Sequence, residues 1–159
     1  YSELFDTNEH FHKEYDRSKP EVDTLAYVLE LLFSEEDLHG SHGNHIERFN
    51  KPKNAQQKVK ILMNRGDIVK KFKNGELAYK ETALGACTTT SPCNQKLLGN
   101  ISACIKCTDA VLKPSKVQNV INYQRNFVAS LEKNSIEYRT EKMELEALLL
   151  QQNKMVKRG

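Results

Sequence analysis

The chain has 159 residues, 38% of them hydrophobic and 28% charged, with no tryptophan, four cysteines and a formal net charge of +3. That suffices for one domain or two small ones with a modest core, and no apolar run approaches the length of a membrane-crossing helix. Residues 1–40 carry 11 acids against 3 bases, residues 41–80 carry 10 bases against 3 acids, and residues 81–159 carry 11 bases against 7 acids. An acidic head before a basic middle implies either that the two pair within the chain, or that the middle meets an anionic partner, nucleic acid first.

Residues 1–17 are acidic and carry Leu4, Phe5, Phe11 and Tyr15, the last two spaced as neighbours on a helix. His10 and His12 would point to different sides of that helix and read as surface residues. Ser18-Lys-Pro20-Glu21 reads as a helix start, with serine as cap, glutamate returning in a capping box and proline in the first turn. The run Val22, Leu25, Ala26, Val28, Leu29, Leu31, Leu32 and Phe33 supplies a broad apolar stripe, expected to be the most buried surface of the amino-terminal half.

Residues 34–54 contain Gly40, Gly43 and small polar side chains and read as loop. His39, His42 and His45 recur every third residue and raise a metal-nuclease reading. The glycines argue against the helix that would align them, and a polar loop is the favoured alternative. Asn54 then caps a helix whose inner face is Val59, Leu62 and Met63 and whose end is Gly66. A shorter helix, Ile68 to Lys73, closes at Asn74-Gly75 and leads through an extended arm toward Cys87. Lys58, Lys60, Lys70, Lys71 and Lys73 are the candidate contacts to DNA phosphates, which require charge rather than a base-reading helix.

The four cysteines fall within one stretch: Cys87, Cys93, then Cys104-Ile-Lys-Cys107. Thiolates are strong zinc ligands, and four of them complete a closed tetrahedral structural site with no position left for catalysis. A two-residue gap lets both sulfurs of a turn reach one ion, and the loop after Cys93 brings the other pair round. The expected cofactor is therefore a structural Zn²⁺ held by Cys87, Cys93, Cys104 and Cys107. Two disulfides in an oxidising compartment, or a redox Cys-x-x-Cys in a strand–motif–helix setting, are the alternatives.

After the cysteines, Val117, Val120, Ile121, Gln124, Phe127, Val128 and Leu131 form a second stripe at the helical period. Asn134-Ser135 is a plausible break, and 136–155 continues as either a second helix or the rest of one long helix.

Gly85-Ala-Cys87, Ser91-Pro-Cys93, Ala103-Cys104-x-x-Cys107, the proline at 114 and the long charged amphipathic tail together resemble the cysteine-rich carboxy-terminal extension of large phage-integrase-type tyrosine recombinases, including transposon-encoded ones. The resemblance is firmest over residues 85–150 and loose over 35–84, where a His39-Gly40 loop precedes the basic stretch. It implies a role in site-specific recombination, in DNA-backbone binding or protomer assembly, beside a recombinase catalytic domain or another copy of itself. It also implies a cytoplasmic location, in the bacterial cytosol or nucleoid. The set that recombinase chemistry needs around a scissile phosphate is not assembled in this chain. No catalytic residue is assigned, and Tyr1 is not given the nucleophile's role.

The expected architecture is mainly α: a small helical domain with a four-cysteine zinc knuckle and a long C-terminal helix or helical hairpin. Its segments are 1–84, 85–114 and 115–159. The competing function is a zinc-stapled protein-interaction or dimerisation module that docks through 115–155 without binding nucleic acid.

Overall fold

The computed structural model describes residues 18–90, Cys93 and residues 101–158. The expectations for Phe11, Tyr15, His10 and His12 lie outside the described residues. The protein is mainly helical, with a small three-stranded sheet near its middle.

Helix α1 covers residues 18–32. Ser18 is its first described residue. The Thr24 hydroxyl, buried inside this helix, donates to the Pro20 carbonyl at 2.7 Å, the local solution that hydroxyls adopt in helix interiors. From Tyr27 to Leu32 the helix widens into π turns, which are uncommon and short wherever they occur. Tyr27, Val28, Leu31 and Leu32 are buried, whereas Val22, Leu25 and Leu29 face solvent. The broad stripe is thus divided by face: Val28, Leu31 and Leu32 enter the core, and Val22, Leu25 and Leu29 do not.

The expected loop over 34–54 is largely helical. Helix α2 runs Gly40–His45 and continues as π turns Ile46–Asn50. Glycine weakens an isolated helix, but here close packing decides the outcome. Gly40, at φ 80°, would place a Cβ only 2.9 Å from the Ala110 carbonyl oxygen. The residue that lowers propensity is the one that lets the helix press on the sheet.

Helix α3 (Ala55–Met63) is capped as expected: the Asn54 side chain accepts from the Gln57 N–H at 2.9 Å, and Gln57 accepts from the Lys53 N–H at 2.7 Å. Helix α4 (Arg65–Lys73) follows immediately, so the break falls at Asn64 and Gly66 lies inside the second helix. Strands β1 (Lys80–Glu81), β2 (Gly85–Cys87) and β3 (Ala110–Leu112) pair antiparallel in that order. Helix α5 (Ile101–Lys106) precedes β3. His39 extends the sheet by exchanging two 2.8 Å backbone bonds with Leu112.

The sheet is the wall between two cores. Ala86 and Val111 join Tyr27, Val28, Leu31, Leu32, Leu38 and Ile46 on one side. Ala110 and Leu112 join Leu84, Val117, Ile121, Leu148 and Met155 on the other. The two-residue alternation of a strand puts the neighbours of β3 on opposite faces, so neither core closes without residues from 84–112.

Helices α6 (Pro114–Ser130) and α7 (Ile136–Arg158) form an antiparallel hairpin, which settles the question of one helix or two. Pro114 opens α6 at a position where its missing N–H costs nothing. Ser135 caps α7 by accepting the Tyr138 N–H at 3.1 Å. Val117, Ile121, Gln124 and Val128 are the buried members of the expected stripe. Gln124 is buried and satisfied across the hairpin, its amide donating to the Glu141 carbonyl at 2.9 Å and carboxylate at 2.7 Å.

Candidate functional site: a thiol knuckle and a basic hairpin

The cysteine stretch is built on Gly85. At φ 155° this residue stands where a Cβ would overlap the Val111 carbonyl oxygen, so only glycine lets β2 lie this close to β3. Cys87 then pairs with Ala110. The Ala110 N–H donates to the Cys107 carbonyl at 3.3 Å, and the Cys107 N–H to the Cys104 carbonyl at 3.3 Å. Thr88 fastens the same corner, its N–H and hydroxyl both donating to the Asp109 carbonyl at 3.0 and 2.8 Å. Backbone pairing therefore brings Cys87, Cys104 and Cys107 to one end of the sheet.

All four cysteines are half-buried and none is in a disulfide. Cys104 and Cys107 pack against the second core. The Cys-x-x-Cys spans the end of α5 and the turn before β3, which is the reverse of the strand–motif–helix order of a redox site. The donor set is of the kind zinc prefers. Its side chains are not drawn together into a cage: among the described residues no group of three or more His, Cys, Asp or Glu could hold a metal ion.

The three histidines are also separated. His39 is buried in the bridge to β3, while His42 and His45 lie on α2 with ring centroids 5.7 Å apart. The Nε2 atom of His42 is enclosed without a hydrogen-bond partner. Burial pushes the His42 pKa below its ordinary 6.5, His45 lowers it further, and Asp109 opposes the shift. His45 packs instead on Phe49, with centroids 5.0 Å apart. His45 and Arg48 stand three residues apart. Both are exposed side chains on the outer surface of α2 and its π extension.

The five candidate lysines all lie on the α3–α4 hairpin, and all are exposed. Neither helix buries a single residue. The expected inner face, Val59, Leu62 and Met63, is 54%, 41% and 79% exposed. The contact with the first core is made instead by Ile61, Ile68 and Phe72, which α3 and α4 present from the opposite side.

Three acids bond to partners outside the α3–α4 hairpin. Glu30 pairs with the buried Lys113 at 3.3 Å, and Glu36 receives the Ser115 N–H and hydroxyl at 2.5 and 2.9 Å, completing the amino terminus of α6. Glu81 pairs with Lys116 at 2.6 Å, and that hydrogen bond holds the Glu81 carboxyl below the usual range. Among the described residues no ion pair engages Lys58, Lys60, Arg65, Lys70, Lys71 or Lys73. No helix is long and apolar enough to cross a membrane among the described residues. Comparison with protein-family models, curated proteins and solved structures gives no match.

Proposed function

We propose that this chain is a non-catalytic, zinc-stapled module of the tyrosine-recombinase type that grips the backbone of duplex DNA through the α3–α4 hairpin. One observation carries the reading. Lys58, Lys60, Lys70, Lys71 and Lys73 project from two helices in which no residue is fully buried, and no acid among the described residues pairs with them. Lysines held this way release condensed counterions from phosphates, which gives affinity without base reading. Cys87, Cys93, Cys104 and Cys107 would hold the zinc, whose contribution is to close the sheet's end as a structural ion. The backbone pairing of Cys87 with Ala110, next to the Cys107 carbonyl, supports that assignment.

The experiment is fluorescence anisotropy of a labelled DNA duplex titrated with the full chain, before and after zinc removal. Saturable binding that weakens with salt supports the proposal. Absence of binding in low salt contradicts it.

A second reading, dimerisation through α6–α7, draws on the exposed Tyr123 and Phe127, whose rings stack with centroids 6.5 Å apart. Sedimentation across a concentration series decides it: a constant monomer rules it out.

A further inference from the structure

The uncovered side of the α3–α4 hairpin is concave as well as apolar. Between it and α1 lies a groove of about 720 Å³, within the size range of pockets that take small ligands or peptide anchors. Leu25 and Leu29 of α1 form one wall, and Leu62, Met63 and Val69 form the other. Arg65, Lys70 and Lys73 stand along the same lining, and Glu21 is its one acid. Lys58, Lys60 and Lys71 lie outside it.

We propose that this groove is a docking site for an acidic amphipathic helix of a partner protein. The α1 wall runs from Glu21 to Leu29, a length of about 12 Å at the helical rise, or two turns. That matches the apolar anchors at i, i+3 or i+4 and i+7 through which a helix lies in a groove. The three cations flanking the anchors select glutamate and aspartate on the edges of the incoming helix. A DNA backbone has no use for the leucine and methionine floor. A bilayer surface, flat on this scale, cannot follow a concave lining, although cationic helices with apolar faces do bind anionic membranes in other settings. The groove shares Lys70 and Lys73 with the proposed phosphate contacts, whereas Leu62 and Met63 belong to the groove alone and Lys58, Lys60 and Lys71 lie outside it, so variants of those two groups make the two proposals fail separately.

The test uses the full chain and three synthetic peptides of about two to four helical turns. One carries leucines at helical spacing with glutamates on the flanks, one replaces those glutamates by lysines, and one scrambles the first. The expected result is binding of the acidic peptide at least tenfold tighter than of the other two. The neutral double substitution Leu62→Gln/Met63→Gln should weaken it tenfold or more while leaving duplex affinity unchanged. Lys70→Glu/Lys73→Glu should also weaken it, and Lys58→Gln/Lys60→Gln/Lys71→Gln should not. Because Leu62 and Met63 are 41% and 79% exposed, these variants retain their fold. Equal binding of the lysine or scrambled peptide overturns the proposal. So does indifference to Leu62→Gln/Met63→Gln, or binding to anionic phosphatidylserine vesicles with none to the acidic peptide.

Discussion

Cys87 pairs with Ala110 across β2 and β3, and Ala110 in turn donates its N–H to the Cys107 carbonyl at 3.3 Å. The first and last thiols of the chain are thus separated by one ladder pair and one hydrogen bond. An ion bound there would staple a sheet whose strands are only two or three residues long, too short to be stable without neighbours.

The zinc assignment predicts about one molar equivalent of zinc in the purified chain, measured by plasma mass spectrometry. Chelation should lower the melting temperature, and Cys104→Ser/Cys107→Ser should abolish both the metal and the chelator's effect. A metal-free chain whose melting is indifferent to chelator would contradict it.

Gly85→Ala forces a side chain into a strained φ against the Val111 carbonyl. It should cost about 3 kcal/mol or more, combining the strain of the conformation with the overlap. Gly66 lies inside α4 with nothing within 4 Å of an added Cβ. Gly66→Ala should instead stabilise by about 0.5–1 kcal/mol, since alanine is the better helix former. Denaturant melts of the two variants should move in opposite directions.

In the C-terminal hairpin, Leu148 is fully buried and Leu150 is 58% exposed. Leu148→Ala should cost about 2–5 kcal/mol through lost transfer energy and the cavity left behind. Leu150→Ala, two residues away, should stay within about 0.5 kcal/mol. Equal effects would mean that α6 and α7 do not pack in this register.

His42 predicts a pH dependence. Its folded pKa lies below 6.5 because burial disfavours the imidazolium. As pH falls below 6.5 the unfolded chain takes up this proton first, so unfolding is favoured. The stability that neutral His42 supplies is complete above 6.5 and is lost as pH falls toward its folded value. Urea melts between pH 7.5 and 5 should show a falling midpoint, and His42→Gln should flatten that slope. An unchanged slope in the variant would show that other groups cause it.

What could be read in the sequence follows from how local each determinant is. The Asn54 cap, the Ser135 break and the stripe over Val117, Ile121 and Val128 are set by spacing within one or two helical turns, and they were legible. The region 34–54 was not, because its helix forms against Ala110, seventy residues away, and needs glycine to do so. The inner face of α3 was misplaced because a hydrophobic stripe shows which side is apolar, not which side is covered. The cysteines were visible as four thiols in one stretch. The approach of Cys87, Cys104 and Cys107 to one end of the sheet depends on the β2–β3 register, which no local pattern encodes. The exposed lysines were visible as charge, while their lack of acidic partners among the described residues required knowing that Glu30, Glu36 and Glu81 bond to Lys113, Ser115 and Lys116.

The claim at the centre of this account is that the hairpin lysines meet phosphates. Its most direct measurement is the slope of log affinity against log salt for a DNA duplex, taken for the unaltered chain and for Lys58→Gln/Lys60→Gln/Lys71→Gln. Removing one lysine–phosphate interaction should reduce the slope by about 0.9, so the triple variant should be shallower by between about two and three. A triple variant with the same slope and affinity as the unaltered chain would contradict the account.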